Sequence, residues 1–319
     1  MKKNIKKLLL IFSEILFPFT FLATLWLKFI RIVGIGKLSD WIFMKLGVLP
    51  VPDHYYQPLV NPKKHLETSL REDRNLPGVD LNIEEQLTLL SKFDFNDEIL
   101  QIPLNKEKEL AFFFNNNSFE SGDAEYLYNM IRHFKPKNFI EIGCGHSTLI
   151  AQKAMNKNKQ LDNSYECNHT SIEPYEMPWL KELDVNLIRE KVEDVDMNAF
   201  EILEENDILF IDSSHIIRPQ GDVLFEFLEI LPKIKKGVLV HVHDIFTPKD
   251  YPDNWILKDH RLWNEQYLLE AFLTCNSNFK IIGAVNHLHH QYSEEIHAKC
   301  PVLASQKTRE PGSFWMVRV

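Results

Sequence analysis

From Ser121 onward, short apolar runs alternate with stretches of helical spacing. This pattern predicts a mostly parallel sheet with helices on both faces. The runs are 138–142, 169–173, 185–189, 207–212, 237–242, 279–285 and 313–319, and seven strands suit one domain of about 200 residues. Helical spacing covers 83–93 (Leu87, Leu90, Phe93) and 261–273 (Leu262, Leu268, Leu269, Phe272). Upstream the pattern changes twice. Residues 8–27 are an apolar run broken only by polar residues such as Glu14 and by Pro18, about the length that crosses a bilayer. From Leu49 to about Asn115, Pro50, Pro52, Pro58, Pro62, Pro77 and Pro103 punctuate polar stretches. The chain therefore divides into an apolar, basic helical segment (1–48), a proline-punctuated extension with a short helix (49–120) and an α/β domain (121–319).

Charge sharpens that division. Residues 1–45 carry eight bases against two acids (Glu14, Asp40), a local +6, which leaves −15 on the rest of a chain whose net charge is −9. An acidic body repels a phosphate backbone, which argues against a nucleic-acid substrate. The basic, apolar start suits anionic lipid headgroups instead. No small-residue cleavage site follows a short apolar core, so the start does not read as a signal peptide. Bases flank the run at both ends, which argues against a simple span and for a monotopic or hairpin-like anchor, with Trp26, Phe29 and Trp41 near the interface. The competing reading is a helix packed on the protein itself or on a partner. The expected location is the cytoplasmic face of a membrane, or the cytoplasm. The aromatic piece VPDHYYQPL (51–59) reads as a strap or a substrate-facing arm. Four widely spaced cysteines, with no CxxC pair, read as reduced thiols.

The strand NFIEI runs into Gly143, Cys144, Gly145, His146 and Ser147 and then a helical stretch. Glycines belong where backbone turns sharply and lies close to a ligand, and a helix N-terminus offers free N–H groups. Ser147 is the expected N-cap. The third glycine of GxGxxG is missing and Glu141 precedes the turn by two positions, which suits a cofactor with a cationic part better than a dinucleotide pyrophosphate. Here the chain resembles the class I S-adenosylmethionine-dependent methyltransferases, whose first motif is an acid followed by glycine-x-glycine. The resemblance covers about residues 121–319, through EIGCG, the acid ending TSIE, IDSSH and HVHD. It implies a Rossmann-like fold with a closing antiparallel hairpin, here NHLHHQYS (286–293) and GSFWMVRV. It implies S-adenosylmethionine as cofactor, Glu141 near the methionine amino group, and Gly143 and Gly145 against the cofactor. Glu173 would accept the ribose hydroxyls, with a surface glutamate as the alternative. Glu193 and Asp194, after the third strand, are the adenine-side candidates, with solvated charge equally open.

The fourth and fifth strands end in Asp212-Ser213-Ser214-His215 and His241-Val242-His243-Asp244, at the sheet edge where open α/β sheets bind ligands. Alternation puts His241 and His243 on one face. Methyl transfer to a hydroxyl needs a positioned acceptor and a base. His215 or His243 fills that role, oriented by Asp212 or Asp244. The alternative is divalent metal: macrocin-type sugar methyltransferases and catechol-type relatives hold magnesium with acids at these strand ends. Asp212 and Asp244 are the metal candidates, although His243 stands where a second acid is often found. Tyr251, Trp255, Trp263, Asn264, Glu265 and Gln266 are candidates for an acceptor pocket. His287, His289 and His290 do not read as a metal site. The expected activity is O-methylation of a small-molecule or sugar hydroxyl near a membrane. Its rivals are an NAD-dependent oxidoreductase or epimerase and a non-catalytic membrane-associated protein that kept the fold.

Overall fold

The computed structural model describes residues 2–175 and 177–319, without the side chains of 2–4; Met1 and Glu176 lie outside the described residues. Two compact units are present, residues 1–67 and Thr68–Val319.

The second unit is built on one seven-stranded sheet: β1 (Asn138–Ile142), β2 (Asn168–Ile172), β3 (Asn186–Ile188), β4 (Ile208–Ile211), β5 (Leu239–Val242), β6 (Phe279–Ala284) and β7 (Phe314–Arg318), in the order β3-β2-β1-β4-β5-β7-β6. β1 to β5 are parallel, and β7 runs antiparallel to both β5 and β6. All seven predicted strands are present, each within two residues of its expected bounds.

Alternation along the strands sorts side chains into two cores. Phe139, Ile208, Phe210, Leu239 and Trp315 pack on one face beneath the helices Asp123–Phe134 and His146–Leu161. Ile140, Ile142, Leu209, Ile211, Val240, Val242 and Met316 pack on the other, against Phe227, Ile230, Leu269 and Leu273. Polar residues share the first face: Glu141 follows Phe139 by two positions on β1, and His241 stacks on Phe210 at 4.0 Å and lies 5.6 Å from His243.

Three expectations change. The unit that contains the sheet begins at Thr68, so the stretch read as an extension to residue 120 is divided. Its second part is core, with Phe93, Ile99 and Phe114 fully buried and Arg132 paired to Glu98 at 2.8 Å. The strands β6 and β7 close the sheet antiparallel, but no hairpin joins them. Three short helices, Val285–Gln291, Ser293–His297 and Pro301–Ser305, intervene, the last begun by a proline whose missing N–H costs nothing there. The helix read as 261–273 spans only Glu265–Leu273, because the carbonyl of His215 accepts the N–H groups of Asn264 and Glu265 at 3.0 and 3.2 Å and fixes the start.

The first unit holds α1 (Lys2–Ile15), α2 (Phe17–Val33) and α3 (Lys37–Leu46). VPDHYYQPL lies in this unit, with Tyr55 and Tyr56 exposed.

Candidate active site

The strand order reverses between β1 and β4, and the crevice beyond their carboxyl ends is where such a sheet binds ligands. Gly143 has φ 76°. A Cβ there would fall within the van der Waals radius of the Asp212 carbonyl oxygen, so the close approach of the two strand ends requires glycine. Gly145 differs: a Cβ there would meet only Met177 Cε, at 3.8 Å. No side chain or backbone crowds position 145, so the loop there leaves space for a molecule lying on it.

Behind the loop, Glu141 is fully buried. Its Oε2 accepts the Thr148 hydroxyl at 2.7 Å and faces His169 Nε2 at 3.4 Å, while Oε1 has no hydrogen-bond partner. Thr148 Oγ1 in turn accepts the Gly145 N–H at 3.0 Å. This corrects the capping expectation. The helix starts at His146, so Ser147 is buried within the first turn, and Thr148 takes the side-chain role at the N-terminus. Glu173 Oε1 accepts the Tyr175 N–H at 2.9 Å and Oε2 the Cys144 N–H at 3.4 Å, which ties the end of β2 to the loop. Cys144 is buried, and burial pushes its thiol well up. His146 Nδ1 meets Ser118 Oγ at 2.9 Å and Phe113 lies edge-on at 5.6 Å, contacts from a segment the sequence did not mark. Burial lowers the His146 pKa. Glu193 is half-buried and Asp194 exposed, on a short 3₁₀ turn after β3.

At the ends of β4 and β5 the structure brings Asp212, His215, His243 and Asp244 together. His215 and Asp244 both have positive φ, 61° and 57°. His215 Nδ1 donates to Glu265 Oε2 at 2.8 Å, and Nε2 faces Asp212 Oδ1 at 3.3 Å and Asp244 Oδ2 at 3.6 Å. Trp263 lies over the ring at 4.3 Å. His243 Nε2 lies 3.6 Å from Asp244 Oδ1, and its ring packs against Phe119. Burial works to lower the His215 pKa, but the Asp212 and Glu265 carboxylates hold it well above 6.5. His243 is also raised, burial being outweighed by Asp244, Asp212 and Asp123. Burial works to raise Asp212, yet His243 and His215 keep it below the usual carboxylate range. His241 is lowered well below 6.5 by burial and meets Ser313 Oγ at 3.0 Å.

The four side chains differ in depth. The side chains of Asp212 and Asp244 are 30% and 19% exposed, whereas those of His215 and His243 are 7% and 6% exposed. The acids stand in front and the histidines behind. Ligand atoms of Asp212, His215 and Asp244 all lie within 4.8 Å of one another, an arrangement able to hold a cation. With Nδ1 donating to Glu265, a neutral His215 would point the Nε2 lone pair at two carboxylates. A proton on Nε2, or a cation held by all three, would relieve that repulsion.

Of the pocket candidates, Glu265 and Trp263 contact His215. Asn264 Oδ1 accepts the Ile217 N–H at 2.6 Å, and Trp255 packs on Trp263. Tyr251 and Gln266 tie the interior together: the Tyr251 hydroxyl accepts the Gln266 N–H at 3.0 Å, and Gln266 bridges Phe246 and Lys249. His287, His289 and His290 lie on a helix, with His290 beside Glu310 at 2.9 Å and His289 beside His297 at 3.2 Å.

Residues 140–245, from β1 to just beyond β5, match the family model of a methyltransferase domain. An uncharacterized protein of Archaeoglobus fulgidus is 34% identical over 174 residues, 51% of this chain and 77% of that protein. Two solved structures share distant similarity with the chain. The plantazolicin methyltransferase BpumL, in complex with a pentazolic desmethylPZN analog and SAH, gives a TM-score of 0.37 at 12% identity, over 74% of this chain and 98% of that one. The SAH-bound Podospora anserina methyltransferase PaMTH1 gives 0.31 at 13%, over 78% and 91%. Residues 140–245 are a methyltransferase domain, set in a seven-stranded sheet with the Rossmann-like arrangement of the class I S-adenosylmethionine-dependent methyltransferases.

Proposed function

We propose that the chain methylates a hydroxyl of a small-molecule or sugar acceptor, using S-adenosylmethionine at the β1 loop and the acids and histidines at the ends of β4 and β5. The observation that carries this reading is the convergence of Asp212, His215 and Asp244 beside a loop with open space at Gly145.

The residues fit the cofactor. Glu141 keeps a buried carboxylate oxygen without a partner, the loop offers backbone, and Glu173 stands at the end of β2. When bound, the cofactor supplies an electrophilic methyl group on a sulfonium. Asp212 and Asp244 face the open side and receive the acceptor hydroxyl. As the oxygen gains the methyl group, its proton passes to the Asp244–His243 pair, whose facing atoms are 3.6 Å apart and favour a proton between them. His215 stays protonated between Asp212, Asp244 and Glu265 and holds the two front acids in place.

A second reading has a divalent cation in the triangle, with His215 Nε2 as third ligand and the His215–Glu265 contact orienting it. Methyl transfer from labelled cofactor into cell extracts, read by mass spectrometry with and without chelator, tests both. Activity that survives chelation supports the proton reading, and loss restored by magnesium supports the metal. Absence of labelled product, or calorimetric binding of NAD but not of S-adenosylhomocysteine, overturns the proposal.

A further inference from the structure

The first unit carries a feature that methyl transfer does not use. Leu8, Phe12, Phe19, Leu22, Trp26 and Phe29 on α1 and α2 are each more than half exposed. A contiguous apolar surface of this kind marks a binding face. No single helix among the described residues is long and apolar enough to cross a membrane; Ile5–Ile15 and Phe17–Val33 pass only as a pair bent by 69°.

The distribution of polar residues fixes how that pair meets a surface. On α1, Lys7 and Glu14 are one heptad apart and share a face. On α2, Thr20, Thr24, Lys28 and Arg31 form a single stripe at spacings of four, four and three, and the remaining faces are apolar. Thr24, Lys28 and Arg31 of that stripe line a groove of about 640 Å³ whose other wall includes Pro50, Pro52 and His54. Asp53 also lines it, but Lys64 at 2.5 Å and Asn61 at 2.7 Å already satisfy its carboxylate. Lys28 and Arg31 remain, and Arg31 Nε is buried without a hydrogen-bond partner.

Geometry agrees with a shallow placement. The apolar arms Leu8–Ile15 and Phe17–Leu27 measure about 12 and 16 Å at the helical rise. Bent as they are, they reach only about 8 Å below the line joining their ends, the depth of interfacial helices and far short of a hydrocarbon core of about 30 Å. Bases at both ends keep both ends on one side.

We propose that α1 and α2 lie in the surface of a bilayer containing anionic phospholipid, on its cytoplasmic face, with the groove beside Lys28 and Arg31 receiving a lipid phosphate. The test is flotation of the full chain with vesicles of phosphatidylcholine alone and of phosphatidylcholine mixed with phosphatidylglycerol, at low and high salt, with circular dichroism melts confirming that each variant is folded. The expected result is retention by the mixed vesicles, weakened by salt. Lys28→Glu with Arg31→Glu should weaken it by tenfold or more, at about fivefold per base removed from an anionic surface. Leu22→Glu with Trp26→Glu should abolish it. The proposal is overturned by equal retention on both vesicle types, by a Lys28→Glu/Arg31→Glu variant that binds as well as the parent, by release with excess free glycerol phosphate, or by a stable lipid-free oligomer that ignores vesicles.

Discussion

The Nδ1 of His215 lies 2.8 Å from Oε2 of Glu265, fifty residues further along the chain, and both side chains are buried. This contact settles which ring nitrogen faces Asp212 and Asp244, and its carboxylate helps hold the imidazole protonated. Glu265→Gln removes the charge while keeping the shape. The expected result is a His215 pKa that falls toward its ordinary value, followed by NMR of the ring protons, and a loss of methyl transfer of about 10- to 100-fold, the usual scale for a group that orients another. An unchanged titration would show that Glu265 only fills space.

The two loop glycines should fail in different ways. Gly143→Ala forces a Cβ into the Asp212 carbonyl at φ 76°, so it should unfold the chain or lower its melting temperature steeply. Gly145→Ala meets only Met177 Cε and should melt within a few degrees of the parent, yet lose affinity for S-adenosylhomocysteine by calorimetry. Normal binding by the Gly145 variant would remove the cofactor from this loop.

Much of this was legible in advance, because the information is local. Alternation between two apolar cores marks every strand, and the polar clusters that end β4 and β5 sit where a parallel sheet must present them. What stayed hidden depends on the folded path. Glu265 looks like any acid in a helix first turn until the His215 carbonyl caps that helix and delivers the carboxylate to the ring. Phe113 and Ser118 reach His146 from a stretch without periodicity. Ser147 and Thr148 are both plausible caps by composition, and only the exact start of the helix separates them. That the acids stand more exposed than the histidines was not legible either, because strand alternation gives faces, not depth at a strand end where Asp244 turns to positive φ.

Stability should fall from mildly acid to alkaline pH through two buried acids. Burial raises Glu125 to about 7 and Asp123 to about 6, although Glu125 accepts N–H groups of Gly122, Val302 and Leu303. A folded pKa above the unfolded one contributes stability that is complete below the unfolded pKa and is lost as pH rises through the folded value. The window therefore runs from roughly pH 4 to 7, and the two shifts amount to on the order of a few kcal/mol. Glu125→Gln should flatten the melting temperature between pH 5 and 8 and lower it at the acid end by about 1–3 kcal/mol in stability, since the amide leaves a buried donor unpaired. Parallel pH profiles for parent and variant would contradict this account.

The rate of methyl transfer should depend on pH in the opposite direction. A histidine that takes the acceptor proton must be neutral beforehand, and Asp244, Asp212 and Asp123 raise His243 above 6.5 despite its burial. The rate should thus be low in acid, rise about tenfold per pH unit along one limb, and level off above a midpoint on the alkaline side of 6.5. Asp244→Asn withdraws the carboxylate that raises His243 most, so its limb should move toward acid while the plateau drops by roughly 10²- to 10⁴-fold. The two effects separate the base from its neighbours: a residue that merely shaped the pocket would lower the plateau without moving the limb. His243→Ala should erase the limb altogether. A limb that persists in that variant and vanishes in His215→Ala would transfer the proton to the other histidine, and one that vanishes only with chelator would place a metal ion between the two acids.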